Sequence, residues 1–324
     1  FADDTAYSAT VSTFDGYRDG DTYGTPPFTL AQTWEEQTAA PAFTGLLNET
    51  YGSGAAAAYG TRRLNGNYSG ACMTIRRASD GTTTTIGFVG EEIDESAITT
   101  FCTGTTCTVQ VWHDQSQSGP TGSGNDASQT TPANQPTIYT GGALVKEGGR
   151  LALDFDGSSN VLVAGNIITT TNAAFAVVGS SDDISGNNGL FTALDASNDG
   201  YEIRLTSNAL LWAVNSTDIT KSITQFTQFL AFANHDGSTS SFSIDGNNST
   251  TAASQSVSIT ANLKIGQRTA EYWDGKIQEA IAFDEDKSTD RTSIEGNISG
   301  YYQSAKLLNE AYGSGAAAAY SVRQ

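Results

Sequence analysis

Apolar and polar residues alternate over short runs, and the runs are separated by turn-forming residues. In the second half these runs are Phe175–Val178, Leu190–Ala193, Tyr201–Leu205, Leu210–Val214, Phe229–Ala233, Ser241–Ile244, Leu263–Ile265 and Ile277–Phe283. Turns such as His235-Asp236-Gly237 and Asp245-Gly246-Asn247 divide them. Short strands at this spacing predict an all-β fold, a sandwich of two antiparallel sheets with a few short helices. The first half adds a strand at Met73–Ile75, a hairpin turn at Ala78-Ser79-Asp80-Gly81, and strands at Thr82–Phe88, Cys107–Trp112 and Leu151–Phe155. Asp94–Phe101 reads as a short capped helix. Ser288–Tyr302 reads as an amphipathic one, with Ile294, Ile298 and Tyr301 on one face. The run Ala55–Ala58, continued by Tyr59 and Arg62 to Leu64, predicts another helix, stopped by Asn65-Gly66.

One stretch occurs twice. Leu46–Arg63 (LLNETYGSGAAAAYGTRR) returns as Leu307–Gln324 (LLNEAYGSGAAAAYSVRQ), offset by 307 − 46 = 261 positions with four of eighteen residues changed. The pattern predicts a tandem array: 46–306 is one β-sandwich unit and 307–324 opens the next or closes the last. Residues 1–45 are turn-rich and aromatic (FDGYRDGDTYGTPPF), and they read as an arm or the tail of a preceding region. Such an arm would dock on a neighbouring unit, giving head-to-tail self-association.

The charge of −19 and the pI near 4.2 repel nucleic acid and anionic membrane. No apolar run is long enough to span a bilayer. Cys102 and Cys107 flank a four-residue loop. They either close a disulfide across a hairpin, which suits an extracellular, cell-surface or virion-surface setting, or stay free at strand ends. Cys72 is left over. Sequons at Asn48, Asn67, Asn215, Asn247, Asn248 and Asn297 count as glycan sites only in a eukaryotic secretory pathway.

Two blocks carry a resemblance. AYGTRRLNGNYSGACMTIRRASDGTTTTIGF, with FCTGTTCTVQVWHDQS and GNDASQ, resembles the N-terminal part of the fungal α-L-arabinofuranosidase B catalytic domain, a part that also recurs in phage and bacterial surface proteins. FSIDGNN, LKIGQR and WDGKIQEAIAFDEDKSTDRTSIEGNISGYY resemble the closing strands and helix of laminin-G-like, concanavalin-A-like jelly rolls. The first resemblance implies a Glu nucleophile, an Asp acid and a vicinal cysteine pair. The vicinal cysteines are absent here. The stretch matching the acid is Ile265-Gly266-Gln267-Arg268-Thr269, and the nearest echo of the nucleophile's setting is Asn187-Asn188-Gly189-Leu190; neither holds a carboxylate. Glycoside hydrolysis needs two carboxyl groups across the scissile bond.

The leading expectation is therefore a fold retained without its chemistry: a non-catalytic structural or adhesion module of a repetitive filament or fibre. The alternative is a glycoside hydrolase of the α-L-arabinofuranosidase type with displaced carboxylates, and a third reading is a calcium-dependent lectin module. Trp112, Asp114, Gln115, Asn125 and Asp126 form the conspicuous polar cluster. Trp112 would stack on a pyranose while Asp114 and Gln115 bond its hydroxyls; the favoured reading is that Asp114 and Gln115 tie the loop to Asn125 and Asp126. Asp154, Asp156, Asp182, Asp183 and Asp199 could offer oxygens to Ca²⁺, but their spacing matches no known calcium loop. His113 and His235, the two histidines, lack zinc spacing.

Overall fold

The computed structural model describes residues 45–310, apart from 118, 120, 121, 123, 216, 253–256, 258 and 259, and the side chains as far as 302. The arm expected before residue 45 lies outside these residues, as does the second copy of the repeat beyond Glu310.

Antiparallel strands supply most of the structure, and two α-helices accompany them. The first half contains β1 (Ala55–Gly60), β2 (Met73–Arg77), β3 (Thr83–Ile86), α1 (Glu95–Cys102), β4 (Cys107–Trp112) and β5 (Leu153–Asp156). β2 pairs with β3 through the expected turn and with β4 on its other side. Asp94 caps α1, its Oδ1 accepting the Ala97 amide at 2.9 Å. Cys102 and Cys107 form a disulfide, with Cα atoms 5.8 Å apart, that fastens the end of α1 to the start of β4. Cys72 is a buried thiol whose burial pushes its pKa up.

The second half contains β6 (Ala173–Ser181), β7 (Asn187–Leu194), β8 (Gly200–Thr206), β9 (Ala209–Val214), β10 (Thr217–Ser222), β11 (Phe229–His235), β12 (Thr239–Ile244), β13 (Asn247–Ala252), β14 (Asp274–Phe283) and α2 (Arg291–Glu310). Strands β7 to β10 form a meander. β11 pairs with β6 and hairpins into β12 and β13. β14 joins the halves, pairing with β6 on one side and with β1 and β5 on the other.

Every residue of β6 is buried because it lies between two cores. Phe175 and Val177 enter the main core, where Phe175 meets Phe191 edge-on at 5.3 Å and Trp212 at 5.5 Å. Ala174, Ala176 and Val178 face a second core beneath α2, with Ile281, Phe283, Ile294, Ile298 and Tyr302. A strand covered on both faces loses the polar alternation of a half-exposed one.

The same burial overturns the helix expected over Ala55–Ala58, which is β1. Ala57 and Tyr59 belong to the main core and Ala58 to the second, so the strand needs small side chains on both faces. Pairing with β14, where Ala58 stands opposite Ile281, outweighs alanine's preference for helix. α2 is held to this layer by polar bonds as well as by packing. The buried Arg62 is fixed by Glu279 on β14, through Nε at 2.8 Å and Nη2 at 3.1 Å, and reaches α2 by donating from Nη1 to Asn297 Oδ1 at 3.1 Å, with its guanidinium 4.8 Å from the Tyr301 ring. Burial works against the Arg62 charge, but Glu279 more than offsets it and holds the pKa above its usual value.

Candidate active site

The cluster after β4 closes on itself. Trp112 is fully buried, its ring 5.9 Å from that of Tyr59. A buried indole offers no open face to a sugar, so the stacking role expected for Trp112 is corrected to that of a core aromatic. Asp114 accepts the amides of Ala58 and Ser116, each at 2.9 Å. Gln115 accepts the Leu64 amide at 2.8 Å and donates to the carbonyls of Gly60 and Arg62 at 3.1 and 3.2 Å. Asn125 donates to the Ala56 carbonyl at 2.9 Å. Asp126 accepts the Asp114 amide at 2.9 Å and meets His113 Nδ1 at 2.8 Å. Burial raises the Asp126 pKa, but His113 and the Asp114 amide outweigh it and leave the carboxyl below its usual range. The structure thus brings the five residues together as a knot that closes the outer edge of β1.

The aspartates considered for calcium have separate tasks. Asp156 accepts the amides of Ser158, Ser159 and Asn160 at 3.0, 2.8 and 3.0 Å. Burial works against its charge, but these bonds hold its pKa at about 2. Asp183 accepts the Ser185 amide at 2.7 Å, and Asp182 takes the Lys276 ammonium at 2.8 Å. Among the described residues, no three His, Cys, Asp or Glu side chains gather to hold a metal.

A second polar centre lies where β7 meets the hairpin formed by Gln267–Arg268 and Glu271–Tyr272. The two stretches singled out by the family resemblance touch here. Gly189 stands against the hairpin so closely that a Cβ on it would lie 2.0 Å from the backbone nitrogen of Arg268. The Gly266 amide donates to the Leu190 carbonyl at 2.8 Å. Neither stretch carries a carboxylate, but their neighbours supply two. Glu202, on β8, accepts Arg268 Nε and, at 3.2 Å, Arg204 Nε. Glu271 accepts Arg268 Nη1 at 3.0 Å. Arg204 Nη1 donates to Asn187 Oδ1 at 3.0 Å, which closes the ring onto β7. Burial disfavours the Arg268 charge, but Glu202 and then Glu271 overcome it and raise the pKa above its usual value.

Both carboxylates therefore bond to one guanidinium, Glu202 at Nε and Glu271 at Nη1. The Glu202 side chain is 8% exposed and that of Glu271 is 32% exposed. Reading the sequence for a carboxylate at the motif positions missed both. The available signal was the alternation Tyr201-Glu202-Ile203-Arg204-Leu205, in which apolar residues enter the core while an acid and a base share the other face.

Comparisons with known proteins bear on the first half of the chain by sequence and on most of it by fold. The family described as "Alpha-L-arabinofuranosidase B, catalytic" matches residues 48–150. Alpha-L-arabinofuranosidase B of Emericella nidulans is 43% identical over 82 residues, which cover 24% of this chain and 15% of that protein. The Penicillium canescens enzyme of the same name is 38% identical over 86 residues, 26% of this chain and 18% of its own. A solved GH54 α-L-arabinofuranosidase variant soaked with 4-nitrophenyl α-L-arabinofuranoside superposes with a TM-score of 0.58 at 20% identity, covering 75% of this chain and 62% of that one. An arabinofuranosidase complexed with arabinofuranosyl-α-1,2-xylobiose gives 0.52, also at 20% identity, over 76% and 63%. The all-β fold is shared with these enzymes. The sequence matches span less than a fifth of the curated relatives' length.

These matches overturn the expectation of a non-catalytic structural or adhesion module and of a phage-fibre protein. The family, the relatives and the shared fold are those of arabinofuranosidases. The expectation rested on missing motif carboxylates, and it did not foresee that the adjoining strand and hairpin bring carboxylates to the same place.

Proposed function

We propose that this chain is the scaffold of a glycoside hydrolase acting on α-L-arabinofuranosides, with Glu202 and Glu271 as its carboxyl pair. The observation that carries the reading is that these two acids bond to different nitrogens of one guanidinium, that of Arg268, beside Gly189. Hydrolysis of a glycoside needs one carboxyl group to protonate the departing oxygen and another to act at the anomeric carbon, directly or through water. Glu202, the more buried of the two, takes the role at the anomeric carbon in this reading, and Glu271, the more exposed, the role at the departing oxygen.

The finer architecture that fits this reading is a two-sheet jelly roll of the concanavalin-A or laminin-G type. An extracellular location fits the Cys102–Cys107 disulfide, since such bonds persist in oxidising compartments.

The test is release of 4-nitrophenol from 4-nitrophenyl α-L-arabinofuranoside. The unsubstituted chain is expected to release it, and Glu202→Gln and Glu271→Gln are each expected to slow release about 10²–10⁴-fold. A folded chain that releases none, or full release by both variants, would overturn the proposal.

A further inference from the structure

A third polar centre lies on β5, β6 and β14, and neither the knot nor the Arg268 ring uses it. Lys276 on β14 stands between Asp154 on β5 and Ser180 on β6 in the strand register. Its ammonium donates to Asp182 at 2.8 and 3.0 Å. The Ser180 hydroxyl donates to Glu147 Oε2 at 2.9 Å. Burial raises the pKa of Asp154 and of Asp274, and neighbouring aspartates act in the same direction. Lys276 and Asp182 keep 21% and 29% of their side chains exposed, so the centre is open to solvent.

Phe226 lies on a loop bonded to the backbone of Ser181, next in the chain to Asp182. The Phe226 ring is 66% exposed, one of two large exposed hydrophobic residues among those described. Its backbone has φ of 56°, a left-handed conformation that a bulky side chain adopts only at a cost. The loop is fastened to the end of β6. The Phe226 amide donates to the Ser181 carbonyl at 2.8 Å, and Gln225 Nε2 donates to the Asp182 carbonyl at 2.5 Å. A costly backbone that holds an apolar ring in water, next to groups of a polar row, is not explained by core packing.

We propose that Phe226, Asp182, Lys276 and Asp154 form a carbohydrate-binding platform for a neutral glycan, separate from the Arg268 centre. The C–H face of a sugar stacks on the phenyl ring. Its hydroxyls donate to the carboxylates and accept from the Lys276 ammonium. Asp154, Asp182, Asp274 and Glu147 outnumber Lys276, so a uronic-acid chain meets like charge and is rejected. The ligand class rests on the arabinofuranoside-hydrolase reading, but the site does not.

Affinity electrophoresis tests this, with soluble neutral arabinoxylan in one gel and polygalacturonate in another. The chain is expected to be retarded by the first and not by the second. Phe226→Gly removes the ring and suits the positive φ, so it should weaken retardation about tenfold without lowering the melting temperature. Asp182→Asn should weaken it as well. Glu202→Gln, which slows hydrolysis, should leave it unchanged. Absence of retardation in the unsubstituted chain, equal retardation of Phe226→Gly, or equal retardation by polygalacturonate would overturn the platform. Hydrolysis without retardation would remove the platform and leave the proposed activity standing; retardation without hydrolysis would do the reverse.

Discussion

The region around β1 and β4 and the region around β7 and β8 are both polar centres, built to different ends. In the first, Asp114 and Gln115 are fully buried and bond mainly to backbone amides and carbonyls. In the second, Glu202 and Glu271 bond to the side chains of Arg204 and Arg268. Bonds to backbone fix the path of the chain and leave a side chain no freedom. Bonds between side chains can be exchanged for bonds to a ligand. The family match covers 48–150, which is the first region, whereas likeness over most of the chain is at the level of fold, at 20% identity. Close sequence similarity therefore falls on the residues that hold the architecture.

Two substitutions sharpen that contrast, and the larger effect belongs to the second region. Glu202→Gln should cost about 10²–10⁴ in the rate of arabinofuranoside hydrolysis per folded molecule. The amide keeps an acceptor for one arginine and turns its NH2 toward the other, so about 1–3 kcal/mol of stability should go as well. Asp114→Ala should cost stability alone. It leaves the Ala58 and Ser116 amides without their buried acceptor, at about 1–3 kcal/mol for each. Urea unfolding should register about 2–6 kcal/mol of lost stability, with the rate per folded molecule unchanged. If Asp114→Ala lost rate without losing stability, the division between the two regions would be wrong.

The disulfide gives a smaller effect of the first kind. It closes a loop between residues only five apart, so the chain-entropy argument assigns it about 2 kcal/mol. Cys102→Ser with Cys107→Ser should lower the unfolding free energy by that amount and leave hydrolysis unchanged. Loss of rate together with stability would tie α1 to the active centre.

Local pattern and local chemistry were legible in advance. β4 runs over Cys107–Trp112 as the apolar pattern predicts, Asp94 caps its helix, and Ile294 and Ile298 face a core. What the pattern could not carry was set at a distance. Four alanines have no periodicity, and the partner that makes them a strand, Ile281, comes from the far end of the chain. β10 and β13 escaped notice because they are polar; in β10 only Ile219 is buried. Glu202 and Arg268 are 66 positions apart, so their pairing is a property of the fold and not of a motif. A motif search reads the two stretches alone and misses the acids that the fold sets beside them.

The smallest effect concerns pH and the core of the second half. His235 is fully buried, its Nδ1 lies 3.1 Å from the Ser240 hydroxyl and its ring 6.1 Å from that of Tyr201, while Nε2 has no hydrogen-bond partner. Burial lowers its pKa, and Asp236 only partly opposes this. Below the unfolded value of about 6.5, the unfolded chain binds a proton that the folded chain refuses. Stability should therefore be flat above that pH and fall as pH drops through it toward the lower folded value. Asp156 follows the opposite rule: its stabilisation is present above its unfolded value and is lost as pH falls through about 2, outside the histidine window. Subtracting the unfolding free energies of a His235→Gln chain from those of the unsubstituted chain cancels the carboxylates common to both. The difference should slope below about pH 6.5 and nowhere above. A flat difference would mean that water or a polar partner reaches Nε2, and the core of the second half would then be as polar as the knot of the first.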